Sequence, residues 1–267
     1  MIGLDSVVIF LLLGAVVGFF AGLLGVGGGG VMVPVLTSYF LYKNVPVESV
    51  VHLALGTSMA SIIMTSASSL YAHQKHQGVM WDIVKTMAPG VLIGTFVATY
   101  FVTHISSLYL AIFFALFMAY VSIQMFLNMQ PKPSCTTPGK VGLLTAGGGI
   151  GAISAVVAIG GGSLTVPFLA WHNVTLKKAI GTSAAIGFPI AIAGTLGYLI
   201  NGWSSDYQQD YLFGFIYLPA VLLISLVSYF TAPLGARLAH KLPVPVLKKV
   251  FAVFLMLLGI KMLLSII

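Results

Sequence analysis

Of the 267 residues, 59% are hydrophobic and only 6% are charged, a composition that excludes an ordinary soluble domain and places the chain in lipid. The net charge of +7 comes from twelve Lys and Arg scattered over short segments, which fits membrane orientation and excludes a nucleic-acid-binding surface. The single cysteine, Cys135, excludes an internal disulfide and any cysteine-based metal cluster.

The first apolar run, residues 6–26, follows Asp5 with neither a basic leader nor a small-residue cleavage pattern, and it reads as a retained helix. Runs at 31–42, 49–71, 83–103 and 106–127 complete a first set of five. Next comes NMQPKPSCTTPGK, Asn128 to Lys140, whose prolines and polar residues mark a linker. Runs at 141–158, 163–172, 176–200, 211–235 and 244–266 form a second set. A membrane-crossing helix needs about 20 apolar residues, so the chain is filled by membrane segments and has no room for a soluble catalytic domain. The expected architecture is an all-α polytopic membrane protein with one repeat over 1–127, a cytoplasmic linker over 128–140 and a second repeat over 141–267.

The two sets repeat in sequence. GGGGVMVPVL at Gly27 to Leu36 matches GGGSLTVPFL at Gly160 to Leu169, LGTS at Leu55 to Ser58 matches IGTS at Ile180 to Ser183, and FALFMAYVSIQM resembles FAVFLMLLGIKM. The run after each glycine cluster is too short to cross comfortably, so each long helix and its short successor form a hairpin that enters and leaves on one side. That leaves odd parity per half, and the second half is inverted. On this topology Lys75, Lys85, Lys132, Lys140, Lys177, Lys178, Arg237, Lys241, Lys248 and Lys249 share the cytoplasmic side, with Lys43 and Lys261 opposite. Both termini then lie outside the cytoplasm. Trp81, Trp171 and Trp203 fall at predicted helix ends, where their rings anchor at the headgroups.

The chemistry concentrates at the glycine clusters. Gly27, Gly28, Gly29 and Gly30 break a helix, as do Gly160, Gly161 and Gly162 with Ser163, and broken backbone survives at membrane depth only inside protein or beside a polar cavity. A short helix that starts there points free N–H groups and a positive dipole end at the break, which favours an anion. Two such breaks from inverted halves resemble a transporter site, whereas the bland alternative is close helix packing by small residues. Thr57 with Ser58, and Thr182 with Ser183, add hydroxyl donors, although such hydroxyls often bond back to their own helix. Ser58, Ser61, Thr65 and Ser68 form a one-sided polar stripe that the second half lacks. No Asp or Glu falls inside a predicted span, and Glu48 with His52 is the candidate for proton coupling, with an interfacial polar pair as the plainer reading. The basic loop expected to contain His73, Lys75 and His76 orients the chain and can draw anions to the cytoplasmic mouth. No catalytic residue, metal site or cofactor is indicated.

The motifs GLLGVGGGGVMVPVL and LGTS, repeated as AIGGGSLTVPFL and IGTS, resemble the TauE/SafE family of sulfite and organosulfonate permeases, as does the ending PLGARLAHKLPVPVLKKVFAVFLMLLGIKML. The resemblance covers both halves. It implies a transporter of a small sulfur-containing anion, with export the expected direction, in a prokaryotic inner membrane, and it points to Gly27 to Gly30, Thr57, Ser58, Gly160 to Ser163, Thr182 and Ser183. The expected partners are the anion and the bilayer, and a homo-oligomer is compatible with the sequence. The competing classes are an intramembrane sulfur-handling enzyme, which lacks a nucleophile or ligand cluster at depth, and a non-transporting assembly factor.

Overall fold

The computed structural model describes residues 3–25, 27–127, 138–203, 210–239 and 244–266. Cys135 and most of the expected linker lie outside these, as does the middle of the acidic stretch from Asn201 to Asp210. The described helices are α1 (Leu4–Leu24), α2 (Gly29–Tyr42), α3 (Val47–Lys75), α4 (Trp81–Val102), α5 (Ser107–Phe126), α6 (Lys140–Val157), α7 (Gly162–Trp171), α8 (Leu176–Gly202), α9 (Leu218–Ala239) and α10 (Val244–Ile266). A small hairpin of β1 (Leu212–Phe213) and β2 (Ile216–Tyr217) precedes α9. Eight helices are long and apolar enough to cross a membrane, while α2 and α7 are the short apolar helices that follow the glycine clusters. The protein is an all-α polytopic membrane protein.

Local sequence explains where the helices stop. Gly25 ends α1 in the left-handed region at φ 70°, its N–H bonded to the Ala21 carbonyl at 2.8 Å. Gly28 and Gly161, at φ 85° and 78°, open α2 and α7 in the same region. Pro34 and Pro167 each sit in the second turn of their short helix. The run expected as one helix over 211–235 begins instead as the β1–β2 hairpin, turning at Gly214 with φ 53°. Its residues Phe215 and Ile216 are buried, and an apolar stretch that short has no period to separate strand from helix.

Two packing themes assemble the helices. The long helices α3 and α8 lie antiparallel at the centre: a Cβ built on Gly56 meets Tyr198, one on Gly194 meets Met59 and one on Gly187 meets Ser66. Around them α1 lies along α9, and α6 lies along α4. Small residues let these outer pairs touch backbone to backbone, Gly14, Gly18 and Gly22 against Ile224, Ser228 and Ala232, and Gly90 and Gly94 against Leu144 and Gly148. A Cβ on Gly14 would come 2.6 Å from the Ile224 carbonyl. Helices α1 and α2 fold back on each other, since the Tyr39 hydroxyl lies 2.9 Å from Ser6 Oγ and its ring packs on Phe10. The open ends of that hairpin are therefore on one side. Large apolar residues such as Leu116, Tyr109, Leu257 and Leu264 face outward, as lipid contact requires, and Trp81, Trp171 and Trp203 sit at helix ends, all partly exposed.

Candidate functional site

The two glycine breaks meet inside the protein. A Cβ built on Gly27 would lie 2.6 Å from the Gly160 Cα, and one on Gly29 would overlap the Ala158 carbonyl. Ile62, near the middle of α3, fits against both, 3.3 Å from the Gly29 position and 3.4 Å from the Gly160 position. From the other side Gly187 of α8 abuts the Gly160 carbonyl, and Ile186 and Ile190 abut Gly161. Both breaks are thus held at mid-length between the two central helices. The starts of α2 and α7 face this region, and the first N–H groups of a helix have no acceptor within it.

The paired LGTS and IGTS tetrapeptides act partly as docks. Thr57 Oγ1 accepts the backbone N–H of Tyr217 at 3.0 Å, just before α9, and Gly56 presses on the Phe215 carbonyl. Thr182 Oγ1 accepts the N–H of Met80 at 3.0 Å, just before α4, and Gly181 presses on the Gly78 carbonyl. In each case a Gly-Thr step receives the backbone that leads into another helix, α9 at Thr57 and α4 at Thr182. The glycine lets the strand approach and the hydroxyl satisfies its N–H. Each threonine keeps its own proton to give.

The serines next to them behave differently. Ser183 donates to the Gly25 carbonyl of the first break at 3.2 Å. Ser58 is fully buried with no hydrogen-bond partner, and Ser163, at the second break, is also buried and unpartnered. Thr165, one turn into α7, shares that condition. A buried hydroxyl without a partner costs about 1–3 kcal/mol, so such groups need an explanation.

The polar stripe is divided in use. Ser61 donates to the Thr57 carbonyl at 2.9 Å, Thr65 shares a 2.8 Å bond with Ser228 Oγ, and Ser68 donates to the Tyr229 carbonyl at 2.6 Å, so these three mainly tie α3 to itself and α9. Ser66 and Ser69, off the expected stripe, line a crevice beside Gly25 and Gly27. Helical spacing identified a polar face but not which of two adjacent faces met the break. His52 is buried at the start of α3, with Nδ1 3.1 Å from the Glu48 backbone carbonyl, Nε2 3.2 Å from the Val102 carbonyl and the ring over Phe215. Its contact is with the Glu48 backbone, about 15 Å along the helix from Ile62. His73 lies in the last turn of α3 rather than in a loop, buried, with Nε2 3.1 Å from the Gly22 carbonyl. Among the described residues no group of three or more His, Cys, Asp or Glu could hold a metal ion.

The arrangement is a pair of helix starts converging on neutral hydroxyls in a protein cut for the bilayer. Comparison with known proteins agrees with that. A model of the family described as sulfite exporter TauE/SafE matches residues 10–262. A probable membrane transporter protein of Haemophilus influenzae is 38% identical over 261 residues, covering 97% of this chain and 98% of its own. Probable membrane transporter proteins of Methanocaldococcus jannaschii and Bacillus subtilis are 26% and 23% identical, covering 96% and 93% of this chain and 95% and 94% of theirs. No solved structure matches. This chain belongs to the sulfite exporter TauE/SafE family and is a membrane transporter.

Proposed function

We propose that the protein exports a small sulfur-containing anion of the sulfite or organosulfonate class across a prokaryotic inner membrane, binding it between the two glycine breaks. The observation that carries this reading is the contact of Gly27 with Gly160 at mid-length of α3 and α8, together with the unpartnered buried hydroxyls of Ser163, at the start of α7, and Ser58, one turn before Ile62 on α3. The amides of Gly27 to Gly30 and of Gly160 to Ser163 supply the positive ends of α2 and α7. Ser58 and Ser183 supply hydroxyl protons, and Thr57 and Thr182 frame the site while keeping one proton each to donate. The family's description as a sulfite exporter supports the substrate class and the direction.

The two halves, 1–127 and 141–267, joined by a cytoplasmic linker over 128–140, are inverted relative to each other, with both termini outside the cytoplasm. Supporting this are the antiparallel course of α3 and α8, which carry the matching tetrapeptides, and the fold-back of α1 on α2. Export follows from one half rocking against the other about the fixed site. An inside-negative potential drives a single negative charge outward by about 2.3 kcal/mol per 100 mV, so export needs no coupled ion.

Purified protein in liposomes tests the reading. Under an imposed, interior-positive potential, labelled sulfite, methanesulfonate and ethanesulfonate should accumulate in the vesicles. Accumulation of none of them, or of cations instead, would overturn it.

A further inference from the structure

The central region holds a built feature that the paired breaks alone do not explain. Between the first break and α3 runs a narrow seam, too tight as it stands for a water molecule, walled by Gly25 and Gly27 on one side, Thr65, Ser66 and Ser69 on another and Ala184 of α8. Ser69 is 2% exposed and its hydroxyl has no hydrogen-bond partner. On this helix it shares that condition with Ser58. A serine or threonine in a helix ordinarily gives its proton to the carbonyl four residues back, as Ser61 and Thr65 do here. Ser69 forgoes the Thr65 carbonyl and leaves a buried donor beside the glycine turn. Ser66 is also buried, and its Oγ lies 3.1 Å from where a Cβ on Gly187 would stand.

The lining is polar but carries no charge. It is also one-sided. Aligning Thr57 with Thr182 puts Ile190, Ala191 and Gly194 opposite Thr65, Ser66 and Ser69, so the second half offers no equivalent hydroxyls.

We infer that the anion held where the two breaks meet places part of its oxygen surface in this crevice, and that the site selects by charge, taking a singly charged oxyanion and rejecting a doubly charged one of the same size. The inference rests on the anion-carrier reading above and adds the residues and the rule of selection. The cost of taking an ion out of water rises with the square of its charge, so a dianion carries roughly four times the penalty of a monoanion in the same site. Neutral hydroxyls and backbone amides offset the smaller penalty, and no cation in the lining answers the larger one. An anion entering this narrow space parts α3 from the glycine turn, which is the kind of motion that an alternating carrier requires.

Methanesulfonate and sulfate provide the probes, being tetrahedral and close in size but differing in charge. In liposomes containing the purified full chain, methanesulfonate flux should exceed sulfate flux by at least about tenfold, the ratio for a modest difference in binding free energy. Ser69→Ala and Ser66→Ala should each raise the KM for methanesulfonate by about three- to tenfold, as loss of one hydrogen bond to a charged group does, with the melting temperature in detergent unchanged for Ser69→Ala. Unchanged KM in both variants, with wild-type methanesulfonate flux intact, would refute the crevice's part in binding while sparing the carrier reading. Equal sulfate and methanesulfonate flux would refute the charge rule alone. Absence of flux for every anion in the wild type would overturn this inference and the carrier reading together.

Discussion

The hydroxyl of Tyr198 on α8 donates to the carbonyl of Ala155 on α6 at 2.8 Å. Ala155 lies in the last turn of α6, where carbonyls have no partner within the helix, so a side chain from a central helix caps the element that ends at the second glycine break. Tyr198 is fully buried, and its proton has no water to turn to.

Tyr198→Phe keeps the ring and removes the bond. The stranded carbonyl should cost about 1–2 kcal/mol, the usual penalty for a buried acceptor left unpaired. Thermal unfolding in detergent should show a lower midpoint than wild type, and an unchanged midpoint would mean that the capping bond contributes nothing.

The threonine docks make a comparison of isosteres informative. Thr57→Val and Thr182→Val preserve shape but leave the N–H of Tyr217 or Met80 without its acceptor, and each should destabilise by about 1–3 kcal/mol. Thr57→Ser and Thr182→Ser retain the oxygen and should recover most of that loss. If serine and valine variants melted alike, the oxygen would not be what holds the two segments.

Glycines in this protein fall into two kinds, and alanine substitution should separate them. Gly27 has φ 77° and no room for a Cβ beside Gly160, so Gly27→Ala carries both a backbone penalty of about 1 kcal/mol and a steric conflict. Gly149, in the middle of α6, has nothing within 4 Å of its missing Cβ, and Gly149→Ala should stabilise the helix by about 0.5–1 kcal/mol. Transport assays on both, normalised to the folded protein recovered, should show loss for Gly27→Ala and wild-type flux for Gly149→Ala.

Much of this organisation was legible in the sequence because the signals were strong and local. Hydropathy located the ten described helices, and the glycine clusters located the two breaks that open α2 and α7. Partnership across the fold was not legible. Nothing local in Gly56-Thr57 tells that Tyr217 will dock there, because that contact joins residues 160 apart. The start of α9 was misread because the short apolar hairpin from Leu212 to Tyr217 has no period of its own. Ser69 escaped notice because the stripe through Ser61, Thr65 and Ser68 is equally regular, and only the position of α9 decides that Thr65 and Ser68 bond to a neighbouring helix while Ser69 is left without a partner beside the break.

The unpartnered hydroxyls of Ser58 on α3 and Ser163 at the second break allow a test that separates fold from function. Ser58 and Ser163 bury hydroxyls that bond to nothing in the protein, so the folded state bears their desolvation without return. Ser58→Ala and Ser163→Ala remove that cost, and each variant should be as stable as wild type or more so, by up to about 1 kcal/mol. If these hydroxyls serve an anion, the same changes weaken its binding, and the KM for methanesulfonate in liposomes should rise severalfold while the melting midpoint holds or climbs. A residue kept only for packing would show the reverse, with stability falling and KM unmoved. Stability and affinity moving in opposite directions is the signature expected of a group that the fold tolerates for the sake of its ligand.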